Sequence, residues 1–136
     1  MTASTHPLAA AILAADDRPL SEPHTFPEWG GAVLRFRSMN GADGATFSQL
    51  AYRAQKAPPD DPIHRELAAR AVVYTACDAD GVQVFGLEHV GMLAQRAHGA
   101  LQRAAGFALD VSGLSDKGAA DASGNSATPG ESSGSE

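Results

Sequence analysis

The chain has 136 residues, 43% of them apolar, but 27 are alanine, so large side chains suffice for one compact domain and leave none for a second. Ten basic against sixteen acidic residues give a net charge of −6, which repels a phosphate backbone unless the arginines gather on one face. No stretch approaches the roughly 18 consecutive apolar residues of a membrane span, so nucleic acid and membrane are both set aside as partners.

At the start of the chain, Pro7 precedes Leu8, Ala11, Ile12 and Ala15 at helical spacing. Proline suits a first helical turn, where its missing N–H would be unpaired anyway, so a short helix is predicted from Pro7 to about Asp16, ended by Arg18-Pro19. No basic segment precedes this apolar stretch, which argues against a secretory signal. Pro23, Pro27 and the Gly30-Gly31 pair then exclude helix. Val33, Arg35 and Arg37 alternate with Leu34, Phe36 and Ser38, which predicts a strand over 32–39 with one apolar face. An extended piece around His24 to Phe26 can pair with it across a loose five-residue turn, making a small hairpin. Its free edges would leave the second strand open to a further chain, with Arg35 and Arg37 setting the register.

Asn40 is a fitting cap for a helix whose stripe is Phe47, Leu50, Ala51 and Ala54. The run 58–62, Pro-Pro-Asp-Asp-Pro, stops it. Asp61 and Pro62 then open a helix over 63–77 with a buried face of Ile63, Leu67, Ala71 and Tyr74. Asp78 to Gly81 reads as a turn and Val82 to Phe85 as a short extended piece. The stretch 87–111 reads as two helices, broken near Arg96 to Gly99, with Val90, Leu93, Ala97, Leu101, Ala104 and Ala108 on one side. Residues 115–136 hold six Ser, four Gly, four Ala and a net charge of −3, with no large apolar side chain. They are expected to be a disordered acidic tail, leaving 1–114 as the folded domain. The fold class expected is α+β: one small, mostly helical domain with a single short hairpin.

The residue types show no catalytic or metal-holding set. His6, His24, His64, His89 and His98 are not spaced as helical metal ligands. Asp78-Ala79-Asp80-Gly81 opens like a calcium loop, but the later glycine and glutamate are missing. Cys77 has no cysteine to pair with and no positioned base, so it reads as a small buried residue in a cytoplasmic protein. Trp29, in its Pro/Gly turn, is either a lid on the local core or a partner anchor. Arg35 and Arg37 either keep a sheet face soluble or touch an acidic partner. Trp29, Arg35, Phe36 and Arg37 are therefore the candidate partner-binding residues, with no catalytic residue, metal or cofactor.

The order of elements, with Ala14 to Asp17, the Pro27-Glu28-Trp29-Gly30 turn, Arg35 and Arg37, Gly41-Ala42 with Phe47, and Asp78-x-Asp80-Gly81 leading to Val84-Phe85, resembles the tail assembly chaperones of long, non-contractile-tailed bacteriophages. The resemblance covers residues 8 to about 114. It departs at Asp43-Gly44, where charged residues are usual, and at Leu93-Ala94-Gln95-Arg96-Ala97, where a Leu-Gly-x-Lys-Ser-like stretch is usual. It implies a non-enzymatic protein that keeps the long helical tape measure protein soluble and helps bring tail tube subunits to it. It also implies work in the host cytoplasm, absence from the mature virion, and a longer frameshifted form sharing this domain. A homo-oligomer is expected from the open strand edge. The competing readings are a structural virion protein, such as a head-to-tail completion component, and a small regulatory DNA-binding module. The latter would need a basic recognition helix.

Overall fold

The computed structural model describes residues 6–114; the expected acidic tail at 115–136 lies outside them. The element order is α1 (Pro7–Ala14), β1 (His24–Phe26), a 3-10 turn (Pro27–Trp29), β2 (Ala32–Phe36), α2 (Gly41–Gln55), α3 (Ile63–Thr75), β3 (Ala76–Cys77), a second 3-10 turn (Leu87–His89), α4 (Val90–Leu93) and α5 (His98–Val111). This is the expected α+β fold, mostly helical with a small antiparallel sheet.

The sheet departs from the expectation in one respect. It has three strands in the order β1-β2-β3, so β2 is central rather than a free edge. β1 pairs with β2 through His24↔Leu34 and Phe26↔Ala32, and β3 pairs with its other side through Arg35↔Cys77 and Phe36↔Ala76. The helix expected to reach Cys77 stops at Thr75, where Ala76 turns extended. The Thr75 carbonyl accepts the Arg37 N–H at 3.0 Å. Pairing satisfies backbone groups that an open edge would leave to water or another chain. The expected docking of a second copy through residues 32–38 is corrected accordingly: over Arg35 to Arg37 that edge is already taken by α3's own continuation.

α3 is the hub, packing on α2, α4 and α5. The predicted face of Ile63, Leu67, Ala71 and Tyr74 is too narrow. Ala68, Ala69 and every residue from Ala71 to Thr75 are buried, whereas Ile63 and Leu67 are only half-buried. A helix surrounded by others buries most of its circumference. The alanines make this possible, because Ala69 on α3 and Ala100, Ala104 and Ala108 on α5 let backbones approach closely where larger side chains would clash. The expected cap of α2 is present, Asn40 Oδ1 accepting from the Asp43 N–H at 2.8 Å; α3 starts one residue later than expected, with Pro62 and not Asp61 at the cap position, while Asp61 Oδ1 still accepts from the Ile63 N–H at 2.9 Å. The last two helices break where Ala97 is extended, so Ala97 is exposed rather than part of the buried stripe.

Phe26 and Phe36, both wholly buried, form the core's aromatic centre with Phe107 of α5. His24 stacks on Phe107 with ring centroids 3.7 Å apart, a packing role. α1 contrasts with all of this. It has the expected N-terminal start, with His6 Nδ1 accepting from the Leu8 N–H, but none of its residues is buried.

Candidate functional site

The hairpin turn supplies one wall of the main concavity. Pro27 enters a single 3-10 turn, and Gly30 and Gly31 leave it with φ of 70° and 78°, conformations that glycine adopts without strain. This aims Trp29 back over Phe26, ring on ring at 5.0 Å. The turn is fixed to α5 by Arg103, whose guanidinium donates to both Glu28 carboxylate oxygens at 2.8 and 2.9 Å and lies 5.3 Å above the Phe26 ring. Those bonds, with a backbone hydrogen bond, hold the Glu28 carboxyl down at about 2 from its ordinary 4.5.

The opposite wall is the segment after β3. Asp78 Oδ1 accepts from the N–H groups of Asp80 and Val82, making the Asp-x-Asp-Gly stretch a tight turn, with Gly81 at φ 86°. Arg37 lies over this turn: a β-carbon on Gly81 would come within 3.1 Å of its Nη2. Gln83 then donates to the carbonyls of Val73 and Phe85, holding Val84 and Phe85 along α3. The Gly86 N–H donates to His89 Nδ1 and starts the turn into α4.

Between these walls runs an open groove of about 650 Å³, floored by Ala32 and Leu34 and lined by Trp29, Val84, Phe85, Met92 and Leu93, with Glu28, His89 and Arg96 as its polar members. Two of its lining side chains, Val84 and Met92, are large, apolar and 42% and 63% exposed. Trp29 is half-buried, and its indole Nε1 is buried with no partner among the described residues. A buried N–H of this kind suits a partner carbonyl or hydroxyl.

Of the four candidate residues, only Trp29 lines this groove. Arg35 lies half-buried on the other face of β2, and Arg37, just beyond the strand, lies half-buried against the turn at Gly81. Phe36 is wholly buried, so it acts through the core and not as a surface contact. Sequence reasoning missed Val84, Phe85, Met92 and Arg96 as site residues. Their signal was available: Met92 and Leu87 are apolar yet lie off the helical stripe defined by Val90 and Leu93. Cys77 is buried, and burial pushes its thiol up, the reverse of an activated nucleophile. His64 contacts the Pro58 carbonyl at 2.9 Å, and no three metal-ligating side chains converge among the described residues.

No family model and no curated protein matches the chain. A solved structure does: that of the bacteriophage HK97 tail assembly chaperone, with a TM-score of 0.55 at 15% identity, covering 76% of this chain and 92% of that one. The chain therefore has a tail assembly chaperone fold.

Proposed function

We propose that this protein is a phage tail assembly chaperone whose groove beside Trp29 covers an apolar helical stretch of the tape measure protein and keeps that rod soluble while tail tube subunits are brought to it. The carrying observation is the groove itself: two walls locked by hydrogen bonds, an apolar lining that includes the exposed Val84 and Met92, and an indole N–H unpartnered among the described residues. A groove of this kind takes the apolar side chains of an amphipathic helix spaced at i, i+3 and i+7. The tape measure protein offers such a seam before the tube encloses it. The shared fold supports the reading, since the similar solved structure is that of a chaperone and not of an enzyme. The same reading places the protein in the host cytoplasm and outside the finished virion, with a frameshifted longer form sharing this domain. Arg35, half-buried on the other sheet face, is the residue left to meet the tube protein.

Co-expression with the tape measure protein tests this. Soluble yield of the tape measure protein rises, the two co-purify, and the fluorescence of Trp29, the only tryptophan, changes on binding. Met92→Asp, at the exposed lip, abolishes all three effects. An unchanged yield with no co-purification would overturn the assignment, as would recovery of this chain in stoichiometric amounts from purified particles.

A further inference from the structure

The chain leaves α5 in a fixed direction. Gly113, at φ 73°, donates its N–H to the Asp110 carbonyl at 3.1 Å, and Leu114 donates to the Leu109 carbonyl at 2.8 Å, the two bonds that close a helix at a left-handed glycine. This closure sets Leu114 against α2, where it lines a shallow hollow of about 320 Å³ with Phe47, Ser48, Ala51, Tyr52 and Gln55. Residues 115–136 follow from that point.

A second hollow, of about 560 Å³, shares Ser48 and Tyr52 with the first and adds Gln49, Arg53 and, from α3, Arg70. Its charge is one-sided. Arg70 donates to Glu66 and to the Tyr74 hydroxyl, both at 3.0 Å. Lys56 Nζ stands 4.4 Å above the Tyr52 ring and donates to its hydroxyl at 2.9 Å. Neither Lys56 nor the exposed Arg53 is in an ion pair among the described residues. A cationic face on a chain of net charge −6 suits an acidic segment.

Two observations identify that segment. The residues that continue from Leu114 carry Asp116, Asp121, Glu131 and Glu136 against Lys117 alone, so they are complementary to the face beside which they start. Their reach also fits. Arg53 lies two residues beyond Ala51, about 200° round the helix, so it stands on the flank opposite Leu114. A helix with its side chains is roughly 10–12 Å across, which makes the outer path between those flanks about 17 Å. The seven residues from Leu114 to Asp121 span at most about 24 Å.

We propose that residues 115–122 cross the outer side of α2 as a strap, with the Asp121 carboxylate against the Arg53 guanidinium and Asp116 beside Lys56. Gly118, Ala119 and Ala120 are small enough to lie over Ser48 and Tyr52, and Lys117, next to Asp116 in an extended chain, faces solvent. Exposed ion pairs are individually weak, so the strap is held by the high effective concentration its tether gives and lifts in salt. A partner reaches Arg53 only by being more acidic than the strap and displacing it. The strap shares no lining residue with the Trp29 groove, so the inference goes beyond the client reading and stands apart from it.

Nuclear magnetic resonance of the isotope-labelled full chain, with a nitroxide attached at Ser123→Cys, decides it; Cys77 is buried and takes no label. Paramagnetic broadening falls on the amide signals of Gln49 and Arg53, and it is lost in about 1 M salt, where the screening length is about 3 Å. Arg53→Glu alters an exposed side chain, keeps the wild-type melting temperature and removes the broadening. Combining it with Asp121→Arg restores the broadening, because the pair is reformed with its charges exchanged. Should Arg53→Glu disturb α2, Asp121→Asn breaks the same pair without touching the helix. Broadening spread evenly around Leu114, or unmoved by both Arg53→Glu and Asp121→Asn, would overturn the proposal. Broadening found only between nitroxide-bearing and isotope-labelled copies in a mixture would also overturn it, by giving the face to a second copy. So would an Arg53 signal that is never broadened yet shifts with added polyglutamate, by giving the face to a foreign acidic partner.

Discussion

α1 and α3 are the two helices richest in short apolar runs, and they meet opposite fates. α3 carries Arg65, Glu66 and Arg70 and still buries seven residues, while the wholly uncharged α1 buries none. Composition does not explain the difference; connection does. α3 is joined by short loops to elements that surround it, and its own end becomes β3. α1 hangs from a Pro-containing segment tied down only from Arg18 onward. Apolar surface becomes stability only where the chain can bring a second surface to it, and otherwise it stays available to another molecule.

The comparison breaks most visibly in the core. Phe36→Ala empties the aromatic centre beneath β2 and lowers stability by about 3–5 kcal/mol, read by denaturant unfolding. Any substitution in α1 that cost as much would show that α1 is packed within its own copy. Next in size is Ala104→Leu, which forces methylenes between α5 and α3, where Ala104 has no exposed surface, and costs about 1–3 kcal/mol by the same assay. If it were tolerated, close approach of the alanine faces would not be what makes α3 the hub.

A smaller effect is expected at the hairpin clamp. The Glu28 carboxyl titrates lower in the folded protein than its ordinary 4.5, at about 2, so protonation favours the state in which the Arg103 bond is broken. The clamp's contribution is complete above 4.5 and is lost as pH falls through that window toward 2. Trp29 fluorescence followed down in pH should show this loss, and the difference between wild type and Glu28→Gln should vanish at the acid end. A constant difference would mean that the clamp does not titrate. The smallest effect belongs to α1: Ile12→Asp in dilute protein shifts unfolding by no more than about 0.5 kcal/mol, since the side chain is exposed there.

Much of the architecture was legible because it depends on neighbours in the chain. Asn40 as a cap, the start of α3 just after Asp61-Pro62, the turns at Gly30-Gly31 and Asp78 to Gly81, the alternation from Val33 to Arg37, and the break before α5 all follow from short-range sterics and hydrogen bonding, which a few residues settle. Trp29 was likewise identifiable, since a large ring in a Pro/Gly turn has few places to go.

What pairs with what was decided only by the tertiary structure. Ala76 and Cys77 have no local reason to leave a helix; they do so because β2 presents an unpaired edge there. Phe36 and Arg35 are adjacent in sequence and equally plausible as contacts, yet the sheet's orientation buries one completely. The groove is assembled from residues 28–34 and 84–96, brought together across α3, and no periodicity within either segment announces the other. Local propensity is written within a few residues of the chain, whereas burial and strand pairing depend on surfaces far apart in sequence, and only the folded chain brings those surfaces together.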